Sequence, residues 1–242
     1  MNIGQLIKYD ITNIFKSPLG YLGIFISLLP GIGVIIATKT LEGPFNASSV
    51  LSMFIAFGGL VLLMFSVRTI IRDMQYGTIQ LFLNSKRNRT KYLYGKLLSV
   101  LCIIIIFTII GTVFTLISAT IIDSGKLEAL DFLKTLGVLV IIIGFYISLL
   151  NIINLTNGKP AIVYTAAILL MFFLPTIFAA SMFVPKMGET LMKMMKYNPF
   201  DFLPATLNAG SLTMTGTQIW IALACIVIFV AINHFIIRNK NI

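Results

Sequence analysis

Six long apolar stretches fill most of this 242-residue chain and limit what it can fold into. The hydrocarbon core of a bilayer is about 30 Å thick, and a helix needs about 20 apolar residues to cross it. We predict spans at residues 19–38, 48–67, 97–122, 133–155, 161–183 and 217–237. They contain no Asp, Glu or Arg, and their one lysine, Lys134, lies at an edge. The sequence therefore predicts an all-α polytopic membrane protein, with one membrane domain over residues 1–242.

The balance of apolar and charged residues excludes a water-soluble domain of this size. Hydrophobic residues make up 58% of the chain and charged residues 11%, against about 25% charged residues in soluble domains. Six spans leave no room for a second folded domain, so a large water-soluble module, such as an ATP-hydrolysing one, would be another chain or absent. The apolar run after residue 18 is too long for the core of a signal peptide, and we expect the first span to stay in the membrane.

Few residues offer chemistry for catalysis or metal binding. Cys102 and Cys225 lie inside predicted spans without the spacing of a metal site, and we expect them to pack as small apolar side chains. His234 is the one histidine, and it lies near the end of the last predicted span. We predict no catalytic residue, no metal site and no cofactor bound by this chain.

The charges between the spans predict the orientation. On the side that holds both termini, the segments carry 12 basic and two acidic residues, whereas the opposite side carries six of each. An excess of Lys and Arg marks the cytoplasmic side of a membrane protein. We therefore predict a plasma-membrane protein with both termini in the cytoplasm. A basic rim facing anionic lipid accounts for the net charge of +10 without a nucleic-acid partner.

Residues 1–18 precede the first span and have an amphipathic pattern. Apolar residues recur three or four positions apart from Ile3 to Phe15, and the pattern ends before Pro18. Such a pattern predicts an interfacial helix, and the alternative is an ordinary polar segment that leads into the first span.

Small residues inside the spans allow helices to approach one another closely. We expect this role for Gly31, Gly33, Gly58 and Gly59.

The inner segment 68–96, between the second and third spans, is the most distinctive part of the chain. It carries seven of the 12 inner basic residues, and a turn at Gly77-Thr78 opens a short apolar stretch, 79–83. An apolar stretch among charges, outside the membrane core, needs a partner surface. The residues alone leave two candidates for that surface: lipid headgroups and a groove of a soluble subunit.

The segment 68–96 resembles the signature of ABC-2 type permeases, the membrane subunits of one class of ATP-driven exporters. The matching residues are Gly77, Thr78, Ile79, Leu81, Phe82 and Leu83, then Asn88 and Arg89, then Gly95 and Lys96. The chain departs from the pattern at Lys86, where the family has proline, and at Gln75, near the common acid, so that Asp73 would take the acidic role. The six spans, the amphipathic N-terminus and a long outer loop also resemble this family.

The resemblance implies that the segment is a coupling helix docked in a groove of a nucleotide-binding ATPase subunit. The residues it implicates are Arg72, Asp73, Tyr76, Gly77, Thr78, Leu81, Phe82 and Arg89. It also implies a second permease chain, identical or similar, and ATPase partners that bind ATP and magnesium. This chain has no phosphate-binding loop of the G-x-x-x-x-G-K-[ST] type and would depend on such a partner.

The predicted interior of the membrane domain holds neutral polar residues in place of charges. Ser148, Asn151 and Asn154 are candidates for a substrate path, and interhelical hydrogen bonding is the competing role. The lack of interior charge disfavours an ion-coupled carrier. An apolar path suits an amphipathic or hydrophobic substrate, and the chain is similar to permeases that export phenol-soluble modulins and to lantibiotic self-protection permeases. Two further functions stay open: a lipid or drug exporter, and a non-transporting immunity or sensor protein.

The outer loop 184–216, before the last span, is the longest of the three outer loops. It begins with a methionine-rich stretch with interspersed lysines, followed by the prolines Pro199 and Pro204. This pattern predicts a short surface helix that ends before the prolines. Two roles stay open for the loop: a lid over an exit path and a structural re-entrant cap.

Overall fold

The computed structural model of the chain describes residues 2–41, 43–82, 85–122, 128–181 and 193–239. Its helices are α1 (Ile3–Phe15), α2 (Pro18–Thr40), α3 (Ala47–Gln75), α4 (Ile79–Phe82), α5 (Lys86–Ile122), α6 (Ala129–Asn157), α7 (Pro160–Ile168), α8 (Leu174–Ser181), α9 (Pro199–Asn208) and α10 (Gly216–Asn239). A π-helical turn, Leu169–Phe173, joins α7 to α8. Across these described ranges there is no β-strand, and the all-α prediction is confirmed.

Six of these helical stretches are long and apolar enough to cross a membrane: α2, α3, α5, α6, the continuous α7–α8 and α10. The six-span prediction is therefore confirmed. Two helices extend eight or more residues beyond the predicted spans, because residues 68–75 continue α3 and residues 86–96 belong to α5. The described part of the inner segment 68–96 thus consists mostly of two helix ends, with α4 and the turn of residues 76–78 between them.

Helix α3 lies at the centre of the bundle and contacts α2, α5, α6, α7 and α9. Its apolar side chains form the core with Phe107 of α5 and Phe145 of α6, where the rings of Phe54 and Phe107 stack at 5.2 Å. Helices α2 and α10 expose most of their apolar surface. That exposure is stable in a bilayer, because lipid tails are as apolar as the exposed side chains.

Close helix approach occurs at three of the four glycines expected to provide it. A Cβ on Gly31 would meet Phe114 and Val50, one on Gly58 would meet Phe107, and one on Gly59 would meet Leu207. The prediction is wrong for Gly33, around which a Cβ would find no atom within 4 Å. Gly33 lies on the outward side of α2, so it gives no packing within one chain.

Helix α1 is amphipathic and packs against the bundle with one face. Asn2 caps its start by accepting a hydrogen bond from the Gly4 amide at 3.0 Å. Leu6, Asp10 and Ile14 form the buried face, which contacts α5. The N-terminal residues therefore form a helix that is docked on the membrane domain along one side.

Part of the long outer loop re-enters the bundle. Helix α9 buries Phe202, Leu203 and Leu207, and Leu207 contacts Gly59 near the middle of α3. The Phe200 ring meets the Phe145 ring at 5.3 Å, near the middle of α6. Residues 199–208 thus have the form of a re-entrant cap. The predicted methionine-rich lid falls largely on residues 182–192, which lie outside the described residues.

Candidate coupling site

An exposed turn follows the end of α3. Tyr76 ends the helix by donating its amide to the Arg72 carbonyl at 3.0 Å, and its side chain is 69% exposed. Gly77 has φ +67°, in the left-handed region that favours glycine, and a Cβ there would meet nothing within 4 Å. The turn of residues 76–78 therefore projects from the bundle with room for a partner on its surface.

A set of buried side chains, four of them charged and one a tyrosine, lies next to this turn, with Arg72 and Asp73 in the last turn of α3. We call it the ionic cluster, and it consists of Asp10, Arg72, Asp73, Tyr92 and Lys96. Asp10 accepts from Arg72 Nη2 at 2.5 Å and from Lys96 Nζ at 2.9 Å. Asp73 lies 2.7 Å from Lys96 Nζ, 3.4 Å from Arg72 Nη2 and accepts from the Tyr92 hydroxyl at 3.0 Å.

The ionic cluster joins three helices that are far apart in sequence. Asp10 comes from α1, Arg72 and Asp73 from α3, and Tyr92 and Lys96 from α5. The two cations balance the two carboxylates, and each of these four side chains is no more than 5% exposed. Removing one partner of such a buried set leaves an uncompensated charge, which costs about 3–5 kcal/mol. The cluster therefore holds α1, α3 and α5 in one arrangement.

Two contacts tie the turn and the interfacial helix to the ionic cluster. The Thr78 hydroxyl donates to the Asp73 carbonyl at 3.4 Å, so that Asp73 contacts the turn through its backbone and the cluster through its side chain. The Arg72 guanidinium lies 4.3 Å from the centre of the Tyr9 ring, a cation–π distance. A displacement of the turn would consequently reach α1 through a short series of contacts.

The residues predicted to couple to an ATPase fall into separate groups in the structure. Tyr76, Gly77 and Thr78 form the exposed turn, whereas Arg72 and Asp73 point inward into the ionic cluster. The Arg89 guanidinium donates to the Arg238 carbonyl at 3.2 Å, which links the start of α5 to the end of α10. The remaining predicted residues are Leu81 and Phe82, whose backbone belongs to α4 and whose side chains lie outside the described parts. A direct contact with an ATPase stays a prediction for all eight.

Three members of the ionic cluster were not predicted as a site, and the sequence did hold a signal for one of them. Leu6, Asp10 and Ile14 are spaced by four, which places an acid in the middle of the apolar stripe of α1. A carboxylate there must meet a cation when the stripe is buried. Tyr92 and Lys96 are also four apart, but nothing local to them identifies Asp73 as their partner.

The polar residues predicted for a substrate path form hydrogen bonds between helices. Asn151 donates to Asn233 Oδ1 at 3.0 Å, and Asn233 donates to the Ser148 carbonyl at 2.6 Å. Asn154 donates to the Ile70 carbonyl at 3.0 Å. Interhelical bonding is thus what the structure shows, joining α6 to α10 and α3, and a substrate role for Ser148, Asn151 and Asn154 stays a prediction. Asn233 was missed because an asparagine in an apolar span has no local partner in sequence.

Comparison with known proteins identifies a family over nearly the whole chain. The family described as ABC-2 family transporter protein matches residues 10–238. No curated protein matches the chain. The matched range begins at Asp10 and includes every member of the ionic cluster, the exposed turn and all six spans up to Arg238.

Proposed function

Since the chain belongs to the ABC-2 transporter family and is the multi-pass membrane subunit of an ABC transporter, we propose that it uses ATP hydrolysis in a partner subunit to export amphipathic peptides. The observation that carries this proposal is the hydrogen bond from Thr78, in the exposed turn of residues 76–78, to the carbonyl of Asp73 in the ionic cluster. A partner surface that presses on the turn acts on Asp73, and through the cluster on α1, α3 and α5. A local docking event is thereby converted into movement of spanning helices.

The partners follow from the energy that transport requires. A nucleotide-binding ATPase subunit holds ATP and magnesium, and its groove receives the exposed turn together with α4. A second permease chain, identical or similar, completes the membrane part, with α1 and the turn of each chain facing the cytoplasm. Family membership supports the ATPase partner and a dimeric permease, and the 12 basic residues on the side of the termini support the orientation.

The chemistry of the bundle supports an amphipathic cargo. The buried charges of the described residues neutralise one another at the end of the bundle near the turn, and the deeper amides of Asn151, Asn154 and Asn233 bond between helices. The surfaces left to a cargo are mainly Leu, Ile and Phe. Such surfaces suit the apolar face of a helical peptide better than a hydrated ion or sugar.

The first experiment measures binding of the ATPase subunit and its consequence for hydrolysis. The chain and the ATPase subunit encoded beside it are co-purified in detergent, with Tyr76→Ala compared with Tyr94→Ala. Tyr94 is also exposed, but it lies on α5 with its ring 6.2 Å from the ring of His234 on α10. We expect Tyr76→Ala to weaken co-purification and Tyr94→Ala to preserve it. Equal binding by both variants would refute docking at the turn.

The second experiment tests the cargo in vesicles that contain the complex. We expect ATP-dependent movement of amphipathic helical peptides, with ATPase stimulation by the same peptides. Transport of a hydrophilic sugar but not of these peptides would refute the cargo and leave the permease role standing. Movement of lipids or drugs alone would favour a lipid or drug exporter, and a chain that purifies with no ATPase partner would favour a non-transporting immunity or sensor protein.

A further inference from the structure

An apolar groove with one cation at its edge lies on the outside of the bundle, between α2, α3 and the α7–π segment. Its volume is about 390 Å³, within the range of about 300–1,000 Å³ that is usual for small-molecule sites. Leu19, Leu22 and Ile26 of α2 form one wall, and each is more than 40% exposed. The groove therefore opens sideways, toward the region that lipid chains occupy.

Arg68 is the charged residue that lines this groove, and it is only weakly satisfied. Its guanidinium donates to the Ser17 hydroxyl at 3.4 Å and to Asn13 Oδ1 at 3.5 Å, two long contacts with neutral groups. Among the ion pairs of the described residues, none includes Arg68, whereas Arg72, one turn further along α3, pairs with both carboxylates of the ionic cluster. A half-buried guanidinium at the edge of an apolar groove favours an anion as its partner.

The opposite wall of the groove is shaped by an irregular helix. Tyr164 of α7 lines the groove near Arg68, and Phe172 of the π-helical turn lines it further from the chain termini. π-helical turns change the direction of side chains and are frequent at functional sites. At the bottom of the groove, a Cβ on Gly23 would collide with Phe65. Helix α2 therefore packs directly on α3, and this contact forms the floor of the groove. The groove is therefore long and apolar, with a polar end at Arg68.

We propose that this groove binds one anionic phospholipid of the surrounding bilayer, with its phosphate on Arg68 and an acyl chain along the apolar walls. The inference rests on the membrane location and on this face meeting lipid and not the second permease chain, and it does not depend on the cargo. Guanidinium and phosphate match in geometry as well as charge. Arg68 lies at the end of α3 that holds the basic residues, which is where headgroups of an anionic leaflet would meet it.

A second copy that packs the same face against this one is a poorer occupant, because the helices that line the groove cannot supply the anion. Helix α2 and the α7–α8 stretch contain no Asp or Glu. Helix α3 contains only Asp73, which is 3% exposed and pairs within the ionic cluster. Two such faces brought together would place Arg68 against apolar side chains or against its own counterpart.

A tryptophan reporter in the groove tests this proposal on the full chain in vesicles. The chain has one tryptophan, Trp220, so a Trp220→Phe, Leu22→Trp chain carries a single reporter on the α2 wall. Its quenching is measured in vesicles of phosphatidylcholine and phosphatidylglycerol, with bromine on the acyl chains of one lipid or the other. We expect the groove reporter to prefer the anionic lipid by about fivefold, the effect typical of one basic residue at a membrane surface.

The matched variants separate a site from general attraction to a basic surface. Arg68→Gln should reduce the preference to about one, and Arg68→Lys should retain part of it. Lys159→Gln removes the same charge from an exposed residue near the start of α7 and should leave the preference unchanged. An equal fall in both Gln variants would overturn the proposal in favour of bulk electrostatics.

Three results of the same measurement decide against a lipid occupant. If the reporter with Arg68 intact shows no preference for anionic lipid, the proposal fails whether or not the Arg68→Gln chain folds. If neither brominated lipid quenches it, a protein surface covers the groove. If an amphipathic peptide changes its emission while anionic lipid does not, the occupant is a peptide.

Discussion

Replacing Asp10 by asparagine should destabilise the membrane domain far more than its place in the first helical turns suggests. The carboxylate of Asp10 is fully buried and lies 2.5 Å from Arg72 Nη2 and 2.9 Å from Lys96 Nζ. Asparagine keeps the size of the side chain but removes the charge, so that two buried cations share the one carboxylate of Asp73. Breaking a buried ion pair in this way costs about 3–5 kcal/mol.

The assay is the free energy of unfolding in mixed micelles, measured by titration with a denaturing detergent. The matched control is Asp131→Asn, which removes a carboxylate from an exposed pair with Lys134 at 3.4 Å. Exposed pairs contribute about 0–1 kcal/mol, so this change should have little effect. A double variant, Asp10→Asn with Lys96→Met, restores the balance of one cation and one carboxylate. We expect it to be more stable than the sum of the single changes by about 1–3 kcal/mol.

Two results would refute this reasoning. A cost below about 1 kcal/mol for Asp10→Asn would mean that water reaches the ionic cluster and screens it. Strict additivity in the double variant would mean that Asp10 and Lys96 do not share an interaction, whatever each contributes alone.

Three further changes test separate parts of the structure. Gly77→Val forces a β-branched residue into the left-handed region, which costs about 1–2 kcal/mol. We therefore expect ATPase-subunit binding to fall about five- to thirtyfold, as measured by titration of the purified subunits. Asn233→Leu leaves the Asn151 amide without its acceptor and should lower the free energy of unfolding by about 1 kcal/mol. Gly59→Leu overpacks the contact with Leu207 and should lower it by about 1–3 kcal/mol, measured in the same detergent titration.

Each of these changes has a control elsewhere in the chain. Gly216→Val and Gly33→Leu enlarge glycines around which a Cβ meets nothing within 4 Å, so both should be tolerated. Asn157→Leu, the control for Asn233→Leu, replaces an exposed asparagine at the end of α6. Similar effects of a test variant and its control would show that the enlarged or apolar side chain itself, and not the described contact, is responsible.

The spans could be predicted because each apolar run is long enough to decide its own structure. Residues 97–122, for example, need no knowledge of any other segment to be assigned to a membrane helix. The re-entrant position of α9 could not be predicted in the same way. Its two prolines and mixed polarity are typical of a loop, and only the open surface at Gly59, about 150 residues earlier, gives Leu207 a place to pack.

The ionic cluster shows the same limit for the candidate site. Arg72 and Asp73 were predicted to matter from their place in the segment 68–96, but the prediction placed them at a partner surface. They lie inside, because Asp10 pairs with Arg72 over 62 residues of sequence and Lys96 pairs with Asp73 over 23. Pairings of this kind depend on the packing of three helices, and no periodicity in one segment reveals them.

The ionic cluster also constrains the order of events during synthesis of the protein. Asp10 leaves the ribosome early, but its partner Lys96 follows 86 residues later, which takes about 4–17 s at the usual rate of about 5–20 residues per second. Until then the acid on α1 has no complete set of cations, and burying it would be costly. We therefore expect helix α1 to stay at the membrane surface while the first two spans insert, and to dock when the third has begun to emerge. A nascent chain stalled before Lys96 would keep this helix accessible to protease, whereas one stalled well beyond it would protect the helix.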